Sequence, residues 1–204
     1  MNTPAVNKPK KVKVPRKQLI LEALARELEQ SPGARITTAA LARAAGVSEA
    51  ALYRHFASKA KMFEGLIGFA EEAVFARINQ IMEEEKESRV RCGSVLYLLL
   101  AFCDRNPGIT RVLMGDALMG ENERLHARVE QFFSRLETQL KQILREARLR
   151  ERQASVVSPE LGAGLMMALL EGRLHQFLRT RFRTSPLEQW EAQWRLIEPR
   201  LFPA

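Results

Sequence analysis

The sequence predicts an all-α protein, with a three-helix unit carrying a helix-turn-helix near its N-terminus and a helical bundle after it. Three observations lead there. Apolar residues recur at intervals of three and four along most of the chain, which places them on one face of a helix. No stretch of useful length alternates apolar and polar residues as a half-buried strand does. Helix punctuation separates the periodic segments, with Ser, Thr or Pro at the starts and Gly, Asn or Pro at the stops.

The first helix runs over Pro15 to Glu29, with Leu19, Ile20, Ala23, Leu24 and Leu28 on one side, and Gln30-Ser31-Pro32-Gly33 breaks it. The next stretch, ITTAALARAAGVSEAALYRHFASK over Ile36 to Lys59, is the most informative of the chain. Thr37 or Thr38 caps a short helix, since a hydroxyl accepts from free N–H groups of a first turn. Leu41, Ala42 and Ala45 share its apolar face, and Gly46 supplies the left-handed stop. Val47 fills the space under the turn. Ser48 caps a second helix, Glu49 to Phe56, rooted by Ala51, Leu52 and either His55 or Phe56. Two helices joined by a tight turn, with small residues at their crossing, can push the second helix into a DNA major groove. Ser48, Glu49, Ala50, Tyr53 and Arg54 face outward, and Lys59 opens the next helix. Small residues at the helix start permit close approach to base edges, while Tyr53, Arg54 and Lys59 can donate to phosphates. A three-helix packing unit with a solvated face has the same local pattern.

Ser58 caps a long helix to about Lys86, striped by Phe63, Leu66, Ile67, Ala70, Val74, Ile78 and Ile81 and roughly 40 Å long at the standard rise. Arg89 to Arg105 forms another, ended by Asn106-Pro107-Gly108. Ile109 to Leu113 is a short helix, and a Gly- and Met-rich loop covers Met114 to Gly120. Glu121 to Arg152 suits a bundle helix or a coiled-coil-like seam, with apolar residues from Leu125 to Ala147 at threes and fours. Ser158-Pro159 opens a helix to about Arg183, and Pro186 opens the last one, with Trp190, Trp194 and Ile197 at regular spacing.

Charge separates the two parts. The formal charge is +8, and residues 1–61 carry all of it, with twelve Lys/Arg against four Asp/Glu; residues 62–204 hold twenty of each. Lys8, Lys10, Lys11, Lys13, Arg16 and Lys17 stand in a tail without an acid, too polar to fold alone. Beside a polyanion it would release counterions and add salt-dependent affinity; otherwise it is a solubilising tail. The expected organisation is a basic tail over 1–15, a helix-turn-helix domain over 16–62 and a helical domain over 63–204, to which the resemblance described below assigns dimerisation and partner binding.

Other function classes are disfavoured. No N-terminal apolar run resembles a signal peptide, and Val95 to Phe102 is too short to span a bilayer. A cytoplasmic protein without membrane contact is expected. Cys92 and Cys103 lie in a helical pattern without a CxxC partner or a zinc-spaced histidine, so neither metal nor cofactor is expected. His55, His126 and His175 are scattered, and neither a phosphate-cradling loop nor a nucleophile elbow is present, so the chain is not read as an enzyme.

The stretch ITTAALARAAGVSEAALYRHFASKAKMFEGLI, and its core VSEAALYRHFxSK above all, resembles the DNA-binding motif of TetR-family regulators. A second stretch, LLLAFCDRNPGITRVLMGDALMGENERL with RINQI before it, resembles the nucleoid-occlusion branch of that family in Gram-negative bacteria. The resemblance implies a TetR-like all-α homodimer, able to assemble further on DNA, that binds palindromic duplex sites. It also implies capture of the tubulin-like division GTPase FtsZ and a block on septum (Z-ring) assembly over the chromosome. On this chain the family pattern puts DNA contact on Thr37, Thr38, Ser48, Glu49, Ala50, Tyr53, Arg54, His55 and Lys59, and partner contact on Phe69, Arg77, Leu98, Arg105 and Asn106. Ala101 departs from the glycine that the branch carries. The last two helices, Leu161–Leu178 and Leu187–Ile197, are the implied dimer contact.

Ordinary structural roles stand beside these. Phe69 lies in an apolar stripe and can be core; Arg77 and Arg105 can be solvated ion-pair partners; Asn106 can start a turn. Gly164, Met167 and Trp190 can pack within one protomer. The rival function is a ligand-responsive TetR-type repressor. It needs an apolar cavity with converging polar groups, for which Tyr97 and Asn79 are the inward candidates, whereas Leu96, Leu98, Leu99, Leu100 and Phe102 suggest a filled core. A helical dimerisation module alone would leave the charge split unexplained.

Overall fold

The structure, a computed structural model, describes residues 15–33, 36–150 and 157–202, with the backbone alone of Arg150. The basic tail lies outside the described residues except for Pro15. Nine α-helices and no strand occur among the described residues. In chain order they are α1 (Arg16–Gln30), α2 (Thr38–Ala44), α3 (Glu49–His55), α4 (Lys59–Glu84), α5 (Ser88–Arg105), α6 (Pro107–Leu113), α7 (Glu123–Arg150), α8 (Pro159–Arg179) and α9 (Trp190–Leu201). A 3₁₀ turn, Asp116–Leu118, sits before α7.

One buried core runs through both parts. Leu24 of α1, Leu41 of α2 and Leu52 of α3 belong to the same cluster as Phe63, Leu99, Phe132 and Leu170. The apolar stripe of α4 is buried along its length, from Phe63 to Ile81. Leu96, Leu99 and Leu100 of α5 are fully enclosed. Helix α4 therefore contributes to this one core from Phe63, just after the helix-turn-helix, as far as Ile81, while its last residues are exposed.

The close approach of α1 to α6 depends on Gly108. A Cβ at that position would lie 1.9 Å from the carbonyl oxygen of Ala25, so any side chain would force the helices apart. Beside it lies Arg111, 2% exposed. Its Nε donates to Asp116 Oδ2 at 2.5 Å, and its Nη1 donates to the carbonyls of Leu28 and Ser31 at 2.8 and 2.9 Å. The last carbonyls of a helix have no intrahelical donor, so this guanidinium caps α1 from another part of the chain. Arg91 does the same for α4, donating to the carbonyls of Met82 and Glu85 at 2.9 Å while meeting Glu146 of α7 at 3.0 Å. Arg173 of α8 holds the carbonyls of Pro186 and Glu188 and the amide oxygen of Gln193.

These ties explain where the element bounds differ from the sequence reading. Helix α8 stops at Arg179 rather than near Arg183, because Arg181 and Phe182 take φ values of 51° and 64° and the Phe182 ring folds back to 5.1 Å from Phe177. The last helix starts at Trp190, not Pro186. Arg173 takes the carbonyls of Pro186 and Glu188 that such a helix would have used, and Gln189 is left-handed at φ 57°. Helix α6 starts earlier than Ile109, with Pro107 at its first position, where the missing N–H costs nothing. Helix α7 starts at Glu123, after Asn122 Oδ1 accepts from the Arg124 N–H at 2.9 Å. Tyr97 and Asn79, expected to point inward, are both exposed; the buried polar side chains are Ser88, Arg91, Thr110, Arg111 and Arg173.

Candidate nucleic-acid interface and partner groove

The helix-turn-helix is built from local bonds. Thr37 Oγ1 accepts from the Ala40 N–H at 3.2 Å and Ser48 Oγ from the Ala51 N–H at 3.1 Å, so both helices are capped by hydroxyls. Between them Gly46 takes φ 64°, the left-handed conformation that a residue with a Cβ resists. Leu52 and Phe56 anchor α3 in the core. That anchoring turns the opposite face out: Ser48, Glu49, Ala50, Tyr53 and Arg54 are exposed, and His55 is half-buried. Thr38 Oγ1 donates to Glu49 Oε2 at 2.9 Å, which joins the starts of the two helices. Arg54 has no ion pair among the described residues and is free to meet an anion. Lys59 is placed differently. Its Nζ lies 2.6 Å from Glu121 Oε1 and 5.5 Å from the centre of the Phe63 ring.

Two further cations stand at this end that the motif did not single out as DNA contacts. Arg43 is exposed in the last turn of α2, and Lys17 lies 5.9 Å from the Phe56 ring centre, over the foot of α3. Their charge was visible in the sequence; the place of Lys17 over Phe56 was not.

A groove of about 680 Å³ opens on the other part of the molecule, between α4, α5 and α9. Arg77, Leu98 and Arg105 line it together with Tyr97, Trp190 and Trp194. Ala101 is among its lining residues and is buried, so its methyl group lies where a glycine would leave more room. Arg77 Nη1 donates to Gln80 Oε1, and Arg105 Nε donates to the Ala101 carbonyl at 3.1 Å. Each keeps further N–H donors for a ligand. Phe69 and Asn106 do not line this groove; both meet Phe102. The Phe69 ring, 48% exposed, is 6.4 Å from that of Phe102, and Asn106 Nδ2 donates to the Phe102 carbonyl at 2.7 Å. Asn106 thus closes the C-terminal end of α5. Sequence reasoning missed Trp190 and Trp194 as groove residues. Their rings are stacked 6.0 Å apart, but spacing on one helix does not tell which neighbour it faces.

Cys92 and Cys103 lie in the core. Both thiols are buried, and burial pushes that of Cys103 up to about 12. No cluster of three or more His, Cys, Asp or Glu side chains suited to a metal occurs among the described residues. No helix there is long and apolar enough to cross a membrane.

Comparison with known proteins identifies the family. The family "Bacterial regulatory proteins, tetR family" matches residues 20–66, and a SlmA-like "Tetracyclin repressor-like, C-terminal domain" matches residues 85–201. The nucleoid occlusion factor SlmA of Shewanella denitrificans is 56% identical over 189 residues, covering 93% of this chain and 96% of the relative. That of Idiomarina loihiensis is 54% identical over the same shares. Among solved structures, the fatty acid degradation regulator FadR of Bacillus halodurans superposes with a TM-score of 0.78 at 14% identity, over 92% of this chain and 97% of its own. The ketosteroid regulator KstR2 of Mycobacterium tuberculosis does so with 0.74 at 16%, over 95% and 98%; at these identities the likeness is one of fold. The chain belongs to the TetR family of non-enzymatic DNA-binding regulators and, within it, is a close homologue of the nucleoid occlusion factor SlmA.

Proposed function

We propose that this chain is a nucleoid occlusion factor: a homodimer that binds palindromic duplex DNA through α2 and α3 and captures FtsZ through the α4–α5 face, so that the division septum does not assemble over the chromosome. On DNA, Ser48, Glu49 and Ala50 approach base edges. Thr37, Thr38, Tyr53, Arg54, His55 and Lys59 meet the backbone and fix the register. Two copies of α3 about one DNA turn apart would require a palindromic site. The second copy is received by the outer face of α8. Leu161 and Leu165 are 64% and 50% exposed there, and added Cβ atoms at Gly164 and Gly172 would meet nothing within 4 Å. Met167 and Trp190, by contrast, are buried within the protomer.

One observation carries the partner half of this reading. Arg77, Leu98 and Arg105, 28 positions apart from first to last, line a single groove with an apolar floor and a rim of four arginines and four glutamates; Arg89 and Arg195 there are paired with Glu198 and Glu191, which leaves Arg77 and Arg105 without an ion pair among the described residues. An acidic and apolar peptide tail fits that chemistry, with Phe69 and Asn106 extending the surface past Phe102. Helix α4, 26 residues and about 39 Å long, begins at the DNA end and carries Arg77 into the groove. It is a lever that could link the two sites, and linkage of binding is reciprocal.

The test is retention of FtsZ by the immobilised protein and by its Arg105→Asp variant, with duplex binding followed in parallel. Loss of FtsZ with unchanged DNA binding supports the reading. A parent protein that retains no FtsZ removes the partner half. Equal duplex affinity with and without the FtsZ tail peptide removes the lever.

A further inference from the structure

Lys59 is the one member of the candidate DNA-contact set that the structure shows in an ion pair. Its Nζ is 2.6 Å from Glu121 Oε1, and the two side chains are only 19% and 12% exposed. The partners lie 62 positions apart, so the contact is made by the fold and not by helix periodicity. Glu121 is the fixed partner. Gly120 before it is left-handed at φ 74°, the Glu121 N–H donates to the Leu118 carbonyl at 2.9 Å, and Leu118 is fully buried. Lys59 is the adaptable one, a four-carbon stem whose head rests beside the Phe63 ring at the first position of α4. A carboxylate carries the same single negative charge as a phosphodiester and accepts the same hydrogen bond from an ammonium group.

We propose that Glu121 is a built-in surrogate for a DNA phosphate: it holds Lys59 in the free protein and gives it up when duplex binds, so that Glu121 sets how much of the Lys59 charge reaches DNA. This rests on the DNA-binding reading above and adds to it a residue outside the helix-turn-helix. A cation that binds phosphate releases one condensed counterion. A carboxylate left bare beside DNA recruits a cation in return, which cancels that release. Glu121 therefore lowers affinity and flattens its salt dependence, and it disfavours loose electrostatic binding of Lys59 to arbitrary DNA.

The exchange can be read directly with a zero-length carbodiimide cross-linker, which joins a lysine to a carboxylate in contact. The full-length protein is treated with and without a mixed-sequence 30-base-pair duplex, and the Lys59–Glu121 cross-linked peptide is quantified by mass spectrometry. Fluorescence anisotropy of the labelled duplex is measured across a NaCl series on the same protein and on Glu121→Gln. The expected result is a strong cross-link in the free protein that falls toward background as duplex saturates. Glu121→Gln should bind the duplex several-fold tighter at low salt, with a log–log salt slope steeper by about 0.9. A cross-link absent from the free protein, or undiminished under bound duplex, overturns the proposal and leaves DNA binding intact. So does a Glu121→Gln slope equal to that of the parent. A parent protein that gives no anisotropy change at any salt overturns the DNA-binding reading itself, and this proposal with it.

Discussion

Arg111 and Arg54 are the same residue type in two opposed settings. Arg111 lies in the α1–α6 junction, 2% exposed, with Nε on Asp116 and Nη1 on the end carbonyls of α1. Arg54 lies on the outer face of α3, exposed and without an ion pair among the described residues. The first guanidinium makes three hydrogen bonds inside the fold and is turned away from any ligand. The second is held only by its backbone and keeps all its donors for a ligand. The difference teaches how a small cationic reader is attached to an electroneutral body: internal ties fix the angle of the reading helices, and the reading face itself is left unsatisfied. Lys59 stands between these cases, paired in the free protein but within reach of the DNA end.

The comparison can be broken first at the junction. Gly108→Ala puts a methyl group into the backbone of α1, which cannot yield without moving the whole helix. We expect a loss of about 3 kcal/mol, read as a fall in the thermal unfolding midpoint of roughly 2–4 °C per kcal/mol for a protein of this size. A midpoint equal to the parent's would mean that α1 and α6 are not locked together. Next is Arg111→Met, which keeps the volume but removes the guanidinium and leaves the Leu28 and Ser31 carbonyls without their donor. The cost should be about 2 kcal/mol in chemical denaturation. DNA affinity should fall as well if the junction sets the angle of α3.

On the reading face the pattern should invert. Arg54→Ala should leave the unfolding midpoint within about 0.5 kcal/mol of the parent. It should weaken duplex binding across all sequences and reduce the salt slope by about 0.9. A stability loss equal to that of Arg111→Met would erase the distinction between the two arginines. The smallest effect is expected at Glu64 on α4. A hydrogen bond from Lys61, aided by Arg124 and Arg128, holds its carboxyl below the ordinary value. A carboxyl easier to ionise in the folded state stabilises it above the ordinary carboxylate range, and that contribution disappears as pH falls through the lowered value. An exposed pair of this kind contributes about 1 kcal/mol at most. Glu64→Gln should therefore sit slightly below the parent in stability at pH 7 and coincide with it at strongly acidic pH. A gap that persists in acid would assign the effect to packing instead.

Much of the reading unit was legible from the chain. The caps at Thr37, Ser48 and Ser58 formed as their residue types required, Gly46 took the left-handed turn, and Leu52 rooted α3. The body was legible as helices but not as contacts. Phe69 belongs to an apolar stripe and is nonetheless half exposed, because it lies at the edge of the buried arc of α4 and faces Phe102, itself only half-buried. Tyr97 and Asn79, the inward candidates, turned outward, whereas Arg91, Arg111 and Arg173 turned inward against their polarity.

The sequence by itself determined where helices form, how the recognition pair is capped and turned, and that positive charge gathers at one end. All of these depend on neighbours within about four positions or on simple addition. Only the tertiary structure decided that Gly108 meets Ala25, that Arg77 and Arg105 share a groove with two tryptophans, and that Lys59 finds Glu121. Those pairings depend on how far each helix is rotated about its own axis and at what angle it crosses the next. The whole core sets that packing at once, and no local stretch of residues encodes it.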